Sequence, residues 1–474
     1  MTTSTVKEYK SAVFQGQVGK EKAFAKNGKG VYMTVEKNGK EYSGIIDAIS
    51  GAAVASLGWG DEDVYDIIQD AARKHTYSYP AYVTNQEAEK LAKFYIENSA
   101  PGAFASCLWT CSGSESTENA LKIMRQYQLE RNMPKKVKMI SRECSYHGFT
   151  MGAMSVGNTP RGAPFKDLMI DQENVCIKMP RCYPYRDMKE GETEEEYGKR
   201  LVDTLEKIIL DNDPDTICSV IVETVSGSSV GTPVPPKGYL KGLRDICNKY
   251  DVLFMLDEVM CGTGRCNPNG KLNCWENFLA PEDAPDIQTV GKTLGSGYVT
   301  IAGVLVSPKV LDVFISGSGT ILGAQTYHSH ALNCATALGI QEKIKREGLT
   351  ANVFKNGNLM GKMLKEALLS DETNIVGDVR GIGGFWTIEL VKNKQTKEPF
   401  APSLKIASRF SDIALECGAN VMGIAGADNY GGTWDIICLG PAFIITEEEV
   451  KLLVERLLKA VKTLSKQLKQ EGAY

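Results

Sequence analysis

Two residues near the middle of the chain have types and a spacing that could do chemistry together, Asp257 and Lys292. A lysine held where it can lose its proton attacks a carbonyl carbon and forms a Schiff base. An aspartate can keep a pyridine nitrogen protonated, which turns the ring into an electron sink. The ordinary reading of such a pair is a surface lysine and an aspartate in a structural ion pair. A phosphate-binding nucleotide loop is the sharper rival, because Gly291, Lys292 and Thr293 are how such a loop ends. That motif needs a glycine five positions before the final one. The position is Asp286, so the cradle is missing.

The elements that must position the pair are legible around it. Asp257 closes the apolar run 252–256, which reads as a buried strand. Lys292 follows a second short run, 286–290, and opens into a glycine-rich segment ending at Gly297. A third strand is expected over 219–223, and Pro235 with Pro236 marks the start of the next helix. Leu240, Leu243, Ile246, Cys247 and Tyr250 recur at helical spacing, so that helix packs on the sheet. Strand, helix and strand in alternation imply parallel pairing. In parallel α/β sheets, ligands sit beyond the carboxyl ends of strands. A carboxylate and a lysine at two such ends would face one ligand.

Two stretches carry a resemblance, Leu256-Asp-Glu-Val-Met-Cys-Gly-Thr-Gly-Arg265 and Pro285-Asp-Ile-Gln-Thr-Val-Gly-Lys-Thr-Leu-Gly295. They resemble the class III (fold type I) aminotransferases that depend on pyridoxal 5'-phosphate, and the likeness runs from about residue 30 to 460. The resemblance implies an α/β fold. It has a large domain with a mostly parallel seven-stranded sheet flanked by helices, and a smaller α+β domain from the N- and C-terminal segments. The expected divisions are 1–72 for an N-terminal arm and part of the small domain, 73–330 for the large domain, and 331–474 for the rest of the small one.

By the same resemblance, Lys292 would carry the cofactor as a Schiff base and Asp257 would hold its ring nitrogen. Gly113 and Ser114 would bind the phosphate. Read alone, Ser112-Gly-Ser114 is a helix cap whose free N–H groups also suit an anion. Tyr146, in Tyr146-His147-Gly148, would stack on the ring, and Val259 would pack on the opposite face; an aromatic before histidine is otherwise a packed core pair. Glu223 is given a supporting role, although the proline that usually follows it is Thr224 here. Thr326 would reach the phosphate in a neighbouring subunit, which implies a homodimer. The glycine and proline usual after it are Ser329 and Ala331.

Departures from the family pattern bear on the substrate. Glutamate-using relatives pair a glutamate with an arginine. Those positions fall near Ser228 and at Cys438, and no Arg or Lys lies between Phe410 and Val450. A carboxylate in a dry pocket needs a bidentate arginine or equivalent donors. Arg161 is a candidate substitute. The expected reaction moves an amino group from an amine or omega-amino acid to pyruvate or a related keto acid. The rivals are a decarboxylase, lyase or aminomutase of the same fold, or a PLP-fold protein that binds without turnover.

The totals fit this reading. Net charge is -4, so no basic footprint points to nucleic acid. No apolar run reaches the roughly 18 residues a membrane helix needs. The N-terminus shows neither a secretion core nor a transit peptide, so a cytoplasmic protein with reduced thiols is expected. Thirteen cysteines form no C-x-x-C pair, and four histidines make a histidine-built zinc site unexpected. Elsewhere, a hairpin is expected around Asn38 and Gly39. Helices are expected from Asp61, Asn85, Glu115, Thr193, His330 and Thr446, a strand over 136–140, a loop over 176–192 and an arm over 1–30.

Overall fold

A computed structural model describes residues 13–14, 23–323, 325–370, 374–428 and 431–474. The described strands are β1 (Phe24–Lys29), β2 (Tyr32–Lys37), β3 (Lys40–Asp47), β4 (Ser106–Thr110), β5 (Lys138–Arg142), β6 (Cys176–Met179), β7 (Ile217–Glu223) and β8 (Leu253–Asp257). They continue with β9 (Ile287–Val290), β10 (Ala302–Val306), β11 (Val376–Ile382), β12 (Phe385–Leu390), β13 (Ala419–Asn420), β14 (Met422–Ala427) and β15 (Thr433–Leu439). The central sheet has seven strands in the order β4-β10-β9-β8-β7-β5-β6. Only β10 runs against its neighbours.

The apolar runs of β7 and β8 are buried on both faces, as a sheet covered by helices requires. Their side chains alternate between two cores. Val220, Val222, Phe254 and Leu256 meet the helices Glu194–Asp211 and Tyr239–Lys249. Cys218, Ile221, Leu253 and Met255 meet the helix Gly113–Glu130. Truncating Ile221, Leu253, Phe254, Met255 or Leu256 to alanine would cost about 2–5 kcal/mol.

Two four-stranded sheets, β1-β2-β3-β13 and β11-β12-β15-β14, are built from the N- and C-terminal segments. They share a core with the helix Glu447–Gln470, whose stripe from Val450 to Leu464 is buried. That helix and Glu194–Asp211 both begin with the expected capping boxes, at Thr446 and Thr193. The hairpin turns at Asn38 and Gly39, both at positive φ.

Local details differ from expectation. Residues 176–192 are not all loop: Cys176–Met179 adds β6 to the sheet edge beside β5, and Pro184–Asp187 is a helical turn. Parallel pairing to a preformed strand is enough to order four residues that carry no strong pattern of their own. The strand expected at 136–140 runs 138–142, because Lys136 turns its ammonium into the carbonyls of Ile217 and Asp251 instead. Within 1–30, Phe24–Lys29 forms β1 against β2, not an arm. The helix after Pro236 begins only at Tyr239, behind Gly238 at φ 80. Asp286 accepts from Arg244 at 2.7 Å and from the Phe254 N–H at 2.8 Å, so it ties β9 to β8.

Candidate active site

The carboxyl ends of β7, β8 and β9 converge on one cavity of about 390 Å³. Glu223 and Asp257 are paired across β7 and β8, and Asp257 is paired with Thr289 on β9. Lys292 lies three residues past Thr289, at φ 48. A non-glycine residue held there costs roughly 1 kcal/mol or more, and such strain is characteristic of sites the surrounding structure over-determines.

Asp257 is almost fully buried and both of its oxygens are engaged. Oδ2 lies 2.8 Å from Nδ1 of His147, and Oδ1 accepts the Val259 N–H at 3.0 Å. With Nδ1–H donating to the carboxylate, Nε2 of His147 is left buried without a partner among the described residues. Glu223 accepts from Ser226 at 3.0 Å and Ser229 at 3.2 Å, and lies 3.5 Å from the Arg142 guanidinium. Burial raises its pKa, and Arg142 opposes that shift. Around Lys292 the protein is dense, and burial lowers the ammonium pKa, with Asp257 pulling it back up and Arg265 adding to the fall.

The start of the helix Gly113–Glu130 also lines the cavity, through Ser112, Gly113 and Ser114. Ser112 caps this helix, its hydroxyl accepting the Glu115 N–H. Ser114 Oγ accepts the Phe149 N–H at 2.9 Å, which ties the helix start to the loop carrying Tyr146. A Cβ on Gly113 would lie 2.8 Å from Val259 Cγ1, so only glycine lets the helix approach. Tyr146 and Val259 line the same cavity as this helix start and Lys292.

Of the residues the sequence singles out, Lys292, Asp257, Glu223, Gly113, Ser114, Tyr146 and Val259 line this one cavity. Thr326 lies apart from it, on an exposed loop where Tyr77 donates to its carbonyl at 2.8 Å. His147 and Arg142 were missed. For His147 the signal was present, since it directly follows Tyr146 beyond a strand end. For Arg142 only the pairing of β5 with β7 reveals it. A second group, Glu258, Cys261 and Cys274, has donor atoms within 4.8 Å of one another. Glu258 already accepts from Thr224, Gln288 and two backbone N–H groups, so its oxygens have no lone pair left for an ion.

The sequence model of the class-III aminotransferases matches residues 14–461. The chain belongs to the class III aminotransferases. An uncharacterized aminotransferase of Schizosaccharomyces pombe is 35% identical over 462 residues, 97% of each chain. A diaminobutyrate–2-oxoglutarate transaminase of Halomonas elongata is 34% identical, covering 94% of this chain and 91% of its own. Among solved structures, an omega transaminase from Pseudomonas jessenii in complex with PMP superposes with a TM-score of 0.85 at 27% identity, over 94% of both chains. The fold is fold type I, and the enzyme is an aminotransferase that uses pyridoxal 5'-phosphate. The cavity fits that group: a helix start with a glycine no other residue can replace, a tyrosine and a valine as walls, a buried carboxylate and a lysine.

Proposed function

We propose that this aminotransferase moves an amino group from an amine or omega-amino acid to pyruvate or a related keto acid. The observation that carries the reading is the cavity itself. Lys292 is the only Lys or Arg among its described lining residues, and Val54, Met260, Val299 and Ile301 give it apolar walls. Cys438 is buried against Thr387, so no cation enters from that strand. Such a pocket favours the uncharged part of a donor around the reacting carbon.

When bound, pyridoxal phosphate supplies an aldehyde that captures amines and a ring that takes up electron density. Lys292 would hold that aldehyde through its amino group, and the same group, when free, would take up and return a proton at the substrate carbon. Its lowered pKa favours the neutral base this work needs. Asp257 would keep the ring nitrogen protonated, and His147 fixes the carboxylate for that role. The helix start at Gly113 and Ser114 would receive the phosphate, and Tyr146 and Val259 would exclude water from the ring.

On this reading two copies pair so that Thr326 of each reaches the other's phosphate site. Its exposure, away from its own chain's cavity, supports that arrangement. The division into 1–72, 73–330 and 331–474 and a cytoplasmic location belong to the same proposal. Among the described residues no helix is long and apolar enough to cross a membrane. The test is the visible spectrum of the purified holoenzyme. An amine donor should bleach the cofactor band and pyruvate should restore it. A band that persists while the donor loses carbon dioxide or ammonia would replace transamination by a decarboxylase or lyase reaction.

A further inference from the structure

Beside the main cavity lies a smaller one of about 50 Å³. The two share Tyr146 and Ser228 as a common wall. The small cavity has room for a carboxylate head group and no room for a whole substrate. Its other walls are largely apolar, from Ile424, Ala425, Ala427 and Trp434. Among the described residues, Arg161 is its only charged lining residue.

Arg161 is exposed and makes no ion pair among the described residues. Arg161 and Tyr146 line the small cavity together, and where burial raises the phenol pKa the charge of Arg161 pulls it back. The other nearby arginine is committed elsewhere. Arg181 lies over the ring of Trp434 at 5.1 Å, but it grips Asp187 with two bonds of 2.7 and 2.8 Å and reaches Asp428 at 3.1 Å. Asn158 and Thr159 add polar side chains on the loop that carries Arg161.

We propose that Arg161 is the specificity residue that receives the substrate carboxylate, and that the preferred donor carries this carboxylate several bonds from its amine. An α-carboxylate is one bond from the reacting carbon and would lie in the main cavity near Lys292. Arg161 lies past Tyr146, in the adjoining space, so the group it serves must be remote. This deepens the transaminase reading and rests on it: the donor class is omega-amino acids, with the guanidinium fork taking both carboxylate oxygens.

The test compares 4-aminobutyrate with butylamine, two donors of equal chain length with and without the carboxylate, on holoenzyme with pyruvate as acceptor. For Arg161→Gln, the ratio of kcat/KM values, 4-aminobutyrate over butylamine, should fall about 10- to 100-fold, chiefly through KM. Arg161→Lys should recover part of it. Pentanoate, which has the carboxylate and no amine, should raise the melting temperature of wild-type holoenzyme and not of Arg161→Gln. An unchanged ratio with wild-type protection by pentanoate intact in the variant overturns the assignment, and leaves transamination of butylamine standing. Failure of wild type to turn over either donor with pyruvate sinks the proposed donor and acceptor class, and this inference with it.

Discussion

His147 Nδ1 stands 2.8 Å from Asp257 Oδ2, with both side chains almost fully buried. The contact joins the loop after β5 to the end of β8, two strands away in the sheet. It leaves Asp257 with a fixed orientation and gives the buried carboxylate a donor that is not Lys292. Removing one partner of a buried charged hydrogen bond leaves the other uncompensated, at a cost of a few kcal/mol. His147→Ala is therefore expected to lower cofactor affinity and kcat each by about 10- to 100-fold. Equilibrium titration of apoenzyme with pyridoxal phosphate checks the first, and steady-state kinetics at saturating cofactor checks the second. Wild-type values for both would show that Asp257 needs no such support.

Gly113 faces Val259 with no room for a methyl group between them. Gly113→Ala should press the helix start away from the cavity, an overpacking that costs about 1–3 kcal/mol, and should weaken phosphate retention. The defect is specific, so a second change can relieve it. Val259→Ala opens the contact, and the double variant should bind inorganic phosphate and the cofactor more tightly than Gly113→Ala alone. A double variant as weak as the single one would place the fault outside this contact.

Much of the fold was legible because the strands that position the site are short apolar runs bounded by turn residues. Helix starts at Asp61, Asn85, Ser112, Thr193 and Thr446 were legible because each cap is a local hydrogen bond. The edge strand β6 was not, since its order comes from pairing with β5 and not from its own four residues. The neighbours Asp257 and Glu258 show the same limit within the site. Side chains alternate along a strand, so only one of the two can face the cavity. Glu258 instead pins the insert after β8 through the N–H groups of Cys274 and Trp275, and burial pushes its pKa up to about 8. Sequence alone could rank Asp257 first only through the family likeness. The pairing of Arg142 with Glu223 has no local signature at all, and for His147 the sequence marks the residue beside Tyr146 but not its partner Asp257.

Thr326 offers a test of the two-chain site that needs no structure of the dimer. Lys292→Ala should be inactive because it lacks the covalent anchor and the proton carrier. Thr326→Ala should be impaired through the phosphate site of its partner. A mixed dimer would then contain one intact site, with Lys292 from one chain and Thr326 from the other. Random reassociation of equal amounts makes half the dimers mixed, so about a quarter of wild-type sites should return. Unfolding and refolding a mixture of the two variant preparations, followed by an activity assay, measures this. No recovery above the sum of the separate preparations would remove Thr326 from the partner's site.

Lys292 gives the clearest expectation against pH. Burial lowers its pKa in the folded apoenzyme, whereas the unfolded chain restores the ordinary lysine value near 10.5. Between those two values the unfolded state binds more protons than the folded one, so stability rises with pH there. Below the folded pKa both states are charged, and the full cost of burying the ammonium is present; above the ordinary value both are neutral and the cost is gone. Lys292→Met removes the titrating group and should make the apoenzyme more stable than wild type at neutral pH. The advantage should shrink as pH climbs towards 10.5. Chemical denaturation of both apoenzymes between pH 7 and 10 reads this gap directly. The rate of cofactor capture by wild type should rise over the same range, since only the neutral amine attacks an aldehyde. A gap constant with pH, or a capture rate that falls as pH rises, would mean that Lys292 keeps an ordinary ammonium in the folded protein.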